Sequence, residues 1–589
     1  MGAPQEAVTS SLTRRNLLGH GAARAAAAPD GPAFDADAFG TVGVFGLDWL
    51  LDARFTRLLD TMAASPGAVR GVRVFGALSG GRDKVFPTVS TGVWNDPAAP
   101  PGFSRTLLAL DALVRRGLTP FLPLTFFPPA VSPTPTQPPA DWSRWTALVR
   151  AFLDAATARF GAAELRRWWF EAWNEPNMPP FWAGSFDQYL DLYCATAAAT
   201  AGRRIRLGGP VLAYLPNEGP ALMERFLHAL AADPALQCDF ISLHRKGHWT
   251  TPENAPDLQR LTQAADETAQ AILRIVPGRA RGMVVINDEA DMMVGFDRPY
   301  PPRMTHQSTA WLAASLVAHD KLTQAWAPHG ITFRAFGDNA NQQLAQGPFD
   351  GRRMLMTPVS DMVSDMVPDT VSDAVDDLVK LPVFAFYELL RLMGPRRLPS
   401  PPVPPGVSAL VTSGPHGVAA LFTRYGTGDA SFGWTPPTLS WSRVNTVQFR
   451  IDAAHTNPAP GMAPSTMRRA AELAVAAPIR RGMAPGAERI TLGPYATALV
   501  WITPTRPGTP APPHWIEVRQ NPAGTLLRWT PSTDPAFYGF ELARDGAVIT
   551  PDPMRAAAWV DAEAAGPARY AVRTVTASGG RSAWSAWAG

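Results

Sequence analysis

Two segments end an apolar run in clustered acids and amides: Trp-Phe-Glu-Ala-Trp-Asn-Glu-Pro at 169–176 and Val-Val-Ile-Asn-Asp-Glu-Ala-Asp at 284–291. An unpaired buried charge is costly, so acids that close a buried strand need a chemical reason. Two carboxyl groups on two strand ends are what cleavage of a glycosidic bond requires. One is protonated and donates to the leaving oxygen. The other is ionised and, in the retaining mechanism, attacks the anomeric carbon from about 5–5.5 Å away. Glu175 is the acid/base candidate. Asn174 beside it brings an amide that can hydrogen-bond a sugar hydroxyl, and Trp173 and Trp182 are expected to pack on Glu175 and exclude water from it. Glu171 faces the same way from deeper in the strand and reads as a supporting ion-pair residue. Glu289 is the nucleophile candidate, with Asp288 and Asp291 competing; alternation along the strand does not choose among them.

These acids need elements to hold them. Apolar runs begin at 41, 71, 119, 168, 205, 240, 282 and 331, and amphipathic stretches such as 144–160, 186–202, 221–232, 257–275 and 307–325 lie between them. Eight strands alternating with helices predict an α/β fold, a TIM (β/α)8 barrel over residues 31–395. Function in such a barrel gathers at the C-terminal strand ends. Arg73, Asn174, Glu175, His244, Asp288, Glu289 and Asp338 all fall there.

After the Pro-rich stretch near 395–406 the pattern is β only. It predicts a β-sandwich over 396–507, joined by a strand from about 31–45. A second Pro-rich linker leads to 513–589, read as a small fibronectin type III-like module with Trp529 and Tyr570 in its core. Residues 1–30 read as a disordered or signal-like extension. Ser-Leu-Thr-Arg-Arg-Asn-Leu-Leu at 11–18 resembles a twin-arginine export signal, but His20 and Arg24 interrupt the apolar stretch such a signal needs. Export and a cytoplasmic location both stay open. Val and Asp each recur every fourth residue over 359–379, which reads as a surface insertion expanded by repeat slippage.

Composition narrows the function classes. The chain has 589 residues and a formal net charge of +3, too small a charge to argue for nucleic acid or an acidic membrane surface. No apolar run reaches the roughly 18 residues of a membrane span. Two cysteines, Cys194 and Cys238, make neither a disulfide framework nor a metal site and read as buried apolar residues. No metal or cofactor is expected. Only four lysines occur, which draws attention to Lys246 beside His244.

Phe-Glu-Ala-Trp-Asn-Glu-Pro-Asn (170–177) and Ile-Asn-Asp-Glu-Ala-Asp-Met-Met-Val-Gly-Phe (286–296) resemble the two signatures of glycoside hydrolase family 39. The second is closer to the family's α-L-iduronidases than to its β-xylosidases. Segments 206–210, 238–247 and 337–340 are similar to iduronidase segments in the same order. The resemblance implies Glu175 as acid/base and Glu289 as nucleophile. It further implies that Asn174, Lys246, Asp338 and Arg352 contact the sugar, that Gly295 and Phe296 help hold its carboxylate through backbone N–H groups, and that Arg73 supports the acid/base. A guanidinium fork suits a uronate carboxylate, which gives Arg352 a chemical rationale. Two positions depart from the family pattern. Phe75 stands where a sugar-binding His is usual, and Phe296 stands where Trp is.

The resulting expectation is a retaining exo-glycosidase, α-L-iduronidase-like, acting on terminal uronic acids of acidic glycans. A β-xylosidase or β-glucuronidase with the same acid pair is the alternative within the class. A glycan-binding protein without catalysis is the alternative outside it.

Overall fold

The computed structural model describes residues 32–44, 46–64, 69–79, 92–248, 256–295, 298–340, 347–359, 378–415, 417–506, 508–521, 524–550, 552–564 and 566–589. The N-terminal extension, most of the Val/Asp repeat and Phe296 lie outside these residues.

Each of the eight apolar runs forms one strand of a curled, all-parallel sheet in sequential order: β1 (Thr41–Val44), β2 (Gly71–Val74), β3 (Thr119–Pro123), β4 (Trp169–Glu171), β5 (Arg206–Ala213), β6 (Phe240–His244), β7 (Val284–Asn287) and β8 (Thr332–Ala335). Helices α1 (Ala53–Ala64), α2 (Ser104–Val114), α3 (Trp142–Phe160), the short α4 (Ala162–Leu165), α5 (Phe186–Thr200), α6 (Gly219–Ala232), α7 (Gln259–Ile275), α8 (His306–Trp326) and α9 (Pro382–Leu390) follow in turn. The sheet edges approach one another. Gly43 donates to Gly337 O at 3.1 Å, and Ala340 N donates to Gly43 O at 3.1 Å. A Cβ on Gly43 would sit 2.7 Å from Asp338 Oδ1 and 3.0 Å from Asp338 Cα, so only glycine lets the end of β8 come this close. The architecture is TIM-barrel-like.

Helix ends are fixed locally. Ser185 and Gln188 form a capping box at the start of α5, and Asp141 caps α3. A dense aromatic layer fills the space between the end of β4 and its helices. Trp173 packs on Phe127, Trp145 and Trp182 with ring centroids 4.5, 6.0 and 5.3 Å away.

Beyond α9 a larger antiparallel sheet includes Val407–Gly414, Gly417–Arg424, Val444–Ile451 and Thr497–Pro504, and a two-stranded sheet pairs Ala430–Trp434 with Glu488–Leu492. The segment around 31–45 serves two sheets. Thr41–Val44 is β1, while Ala33 bridges to Arg396 at the edge of the larger sheet. Residues 515–576 form two three-stranded sheets whose shared core contains Trp529, Phe540 and Tyr570, all fully buried. This unit docks on the barrel: Arg57 and Arg528 both pair with Glu517 at 3.0 Å, and Arg528 reaches Asp60 at 3.2 Å.

Cys194 departs from expectation. It lies on the outer face of α5 and is exposed, and Cys238 is half-buried. Among the described residues no helix is long and apolar enough to cross a membrane.

Arg397, in the first strand after α9, is buried against Asp320 of α8; its Nε donates to the two carboxylate oxygens at 3.0 and 2.9 Å. Arg397→Met strands a buried carboxylate and should cost about 3–5 kcal/mol, whereas the double variant Arg397→Met/Asp320→Leu should recover most of that loss. Urea unfolding of the three proteins measures this; equal losses in single and double variants would show that packing, not charge, is at stake.

Candidate active site

At the C-terminal end of the sheet one guanidinium gathers the acids. Arg73, on β2, is fully buried. Its Nε donates to Glu171 Oε2 at 2.9 Å and lies 2.6 Å from Asp288 Oδ2. One terminal nitrogen donates to Glu289 Oε1 at 3.3 Å. The other donates to Asn174 Oδ1 at 2.8 Å and lies 3.3 Å from His244 Nε2. Burial opposes the charge on Arg73, but Asp288, Glu171, Glu289 and Asp338 together outweigh it and hold its pKa above the usual value. Burial pushes the carboxyl of Glu171 up to about 8 against the pull of Arg73.

Above Arg73 the two strand-end glutamates meet. His244 Nδ1 is 2.7 Å from Glu175 Oε1 and 3.5 Å from Glu289 Oε1. One donor atom from each of Glu175, His244 and Glu289 lies within 4.8 Å of the other two. Burial of Glu289 opposes its charge, yet His244, Lys246 and Arg73 hold its carboxyl well below the usual range. Lys246 donates to Glu289 Oε2, and to Asp338 Oδ2 at 3.2 Å. Side-chain exposure separates the acids. Glu175 and Glu289 retain 13% and 11%, whereas Glu171 and Asp288 have none and Asp338 has 2%.

Backbone geometry aims these groups. Trp173 and Glu175 both have positive φ, 88° and 45°, a conformation that costs of order 1–3 kcal/mol per residue. Tethers to β5 hold the turn: Glu175 N donates to Val211 O at 2.9 Å, and Asn177 exchanges hydrogen bonds with the Ala213 backbone at 3.0 and 2.9 Å. Asn287 clamps the residue before Lys246, accepting from Arg245 N at 3.1 Å and donating to Arg245 O at 2.8 Å. Gly247 N donates to Asp291 O, joining the loops after β6 and β7.

Several sequence expectations look different in three dimensions. Trp173 and Trp182 belong to the aromatic layer behind β4, and the contact at Glu175 Oε1 is His244. Asp291 is bound by Arg303 at 2.8 Å and Arg353 at 2.7 Å, which keeps it below the usual carboxylate range despite burial. Arg352 is partly exposed and pairs with Asp350 at 3.5 Å. Its neighbour Arg353 is buried and donates to Asp338 at 2.7 Å. Arg353 and Arg303 escaped the sequence reading. The signal that could have found them is the need of Asp291 and Asp338 for cations if both are buried. Gly295 has φ 88° on the loop after β7. Phe75 lies against Arg73, with its ring centroid 4.8 Å from the guanidinium carbon.

The chain is 32% identical over 151 residues to a β-xylosidase of Caldicellulosiruptor saccharolyticus, covering 23% of this chain and 29% of that protein. It is 28% identical over 222 residues to the α-L-iduronidase of Homo sapiens, covering 36% of this chain and 33% of that protein. The matched part thus spans a third or less of these relatives. A solved bacterial orthologue of human α-L-iduronidase superposes with a TM-score of 0.75 at 22% identity, over 94% of this chain and 97% of that one. A monomeric β-xylosidase from Caulobacter crescentus CB15 superposes at 0.62 and 17% identity, over 81% and 98%. At these identities the structural likeness is one of fold. The model of glycosyl hydrolases family 39 matches residues 95–400, more than half of the chain, and the chain belongs to that family.

Proposed function

We propose that the chain is a retaining exo-glycosidase that removes terminal uronic acids from acidic glycans by double displacement. The observation that carries the reading is the closeness of Glu175 and Glu289, one oxygen of each lying within 4.8 Å of the other. That spacing fits direct attack by a carboxylate. A general-base water needs carboxyls about 6.5–9.5 Å apart.

In this reading Glu289 is the nucleophile, kept ionised by His244, Lys246 and Arg73. Glu175 donates a proton to the leaving oxygen, then takes one from the water that releases the sugar. His244 occupies Glu175 Oε1, which leaves Oε2 to face the leaving group. Arg73 holds Asn174 Oδ1, so the Asn174 amide nitrogen is the group left to bond a sugar hydroxyl. Lys246 bridges Glu289 and Asp338. Arg352, with backbone N–H groups at Gly295 and Phe296, is assigned to the substrate carboxylate, Arg352 exchanging its contact with Asp350 for the sugar. Phe75 removes one polar partner that the family's usual His would give the sugar, and this supports a second reading with the same acid pair, β-xylosidase or β-glucuronidase activity. We further assign residues 31–395 to the catalytic unit, 396–507 to a β-sandwich and 513–589 to a fibronectin type III-like module.

Replacing Glu175 or Glu289 by Gly should lower kcat on aryl glycosides by roughly 10³-fold or more. Azide should then rescue each variant with opposite stereochemistry: inverted glycosyl azide from Glu289→Gly, retained from Glu175→Gly. Full activity in either variant would mean a different acid pair, and no hydrolysis by the unaltered protein would favour a glycan-binding role.

Specificity is read by comparing an α-L-iduronide, a β-D-glucuronide and a β-D-xyloside. Arg352→Ala should reduce kcat/KM on the uronide by about tenfold or more while changing the xyloside little. Equal losses on both would remove Arg352 from carboxylate recognition.

A pH signature follows from His244. Burial opposes its charge, but Glu289, Asp288 and Glu175 outweigh that and raise its pKa to about 10, against about 6.5 for an unperturbed His. A raised folded pKa gives stability that is complete below the unfolded value and lost as pH rises through the folded one. The melting temperature should therefore fall between about pH 7 and 10, and His244→Gln should flatten that fall; parallel curves for the two proteins would mean that His244 is neutral.

A further inference from the structure

The opposite, N-terminal end of the curled sheet holds a second polar cavity of about 340 Å³. Arg70, Arg167, Arg206 and Arg334 line it together with Asp35 and Asp37. Its floor is an apolar plug of Phe121, Ile286 and Phe336 with the Trp169 ring beside it. Arg206 and Arg334 both lie over that ring, with guanidinium carbons 4.5 and 4.9 Å from its centroids. A neighbouring depression shares Asp35, Asp37 and Arg70 and adds Arg391.

The charges here do not balance. Arg70 pairs with Asp37 at 3.1 Å, Arg334 with Asp35 at 2.9 Å, and Arg167 with Glu164 at 2.9 Å. Arg206 donates to Arg167 O at 3.2 Å, and among the described residues no carboxylate is within ion-pair distance of it. Burial and the nearby Arg206 hold the pKa of Arg334 below its usual value in spite of Asp35. Guanidinium groups crowded at one mouth repel one another, and solvated charges on a convex surface would spread apart. These instead stay together over an aromatic platform and a cavity of ligand size.

We propose that this mouth is a second binding site, for a small polyanion bearing at least two sulfate, phosphate or carboxylate groups, with Arg206 as its principal contact. A planar fork accepts two oxyanion oxygens at once, and Arg334 is close enough to share the same ligand. The site is independent of the acid pair at the other end of the sheet.

Titration calorimetry of the full chain with pyrophosphate and with a disulfated uronate disaccharide tests this at about 50 and 200 mM salt. Saturable binding at the low salt, weakened at the higher, is expected for at least one probe. Arg206→Gln, an exposed position that should fold normally, should weaken it about tenfold or more while leaving aryl-glycoside hydrolysis unchanged. Tighter pyrophosphate binding identifies a phosphate ligand, and tighter disaccharide binding identifies a glycan. Disaccharide held only in the catalytic cleft would be insensitive to Arg206→Gln. No saturable binding of either probe, or affinities unchanged in both Arg206→Gln and Arg334→Gln, would overturn the proposal.

Discussion

One buried guanidinium organises the C-terminal end of the curled sheet. Arg73 is removed from water, and a cation so placed is tolerable only when anions and acceptors surround it. Three strands supply them: Glu171 and Asn174 from β4 and its turn, His244 from β6, Asp288 and Glu289 from the end of β7. Each of those groups is costly to bury alone. Together they fix the register in which neighbouring strand ends must stop, and so fix where Glu175 and Glu289 can point.

The network is graded with depth. Glu171, the innermost acid, is pushed toward neutrality by burial, while Glu289, nearer solvent and facing His244 and Lys246, is held ionised. The same residue type thus occupies opposite protonation preferences a few ångströms apart, set by whether burial or neighbouring cations win. The backbone at Trp173 and Glu175 is strained, and the hydrogen bonds to β5 and the aromatic layer behind β4 hold it in place. Strain of this kind persists only where the surroundings over-determine the conformation.

The two ends of the sheet solve their electrostatics differently. At the C-terminal end, cations and anions interlock, and Arg303, Arg353 and Asp291 extend the network outward. At the N-terminal end, arginines exceed carboxylates around an open cavity. A balanced network is self-sufficient. An unbalanced one leaves donors directed at whatever enters.

Much of this was legible in the sequence. Eight apolar runs each became a strand, because period and length of hydrophobic runs are local properties. The polar residues closing those runs gathered at one end, since parallel strands in a curled sheet all finish on the same side. Other features needed the tertiary structure. Arg352 and Arg353 are adjacent and chemically identical, so no local rule assigns one to the surface and the other to Asp338 and Asp291. Trp173 looked like a neighbour of the Glu175 carboxyl, but a positive φ turned it into the helix layer instead. Cys194 looked apolar enough to bury, yet its place on α5 faces solvent. The sequence by itself determined which residues end each strand and hence which chemistry is present. Only the fold decided which of six acids keep contact with the cleft, because that depends on distances between groups tens to hundreds of residues apart.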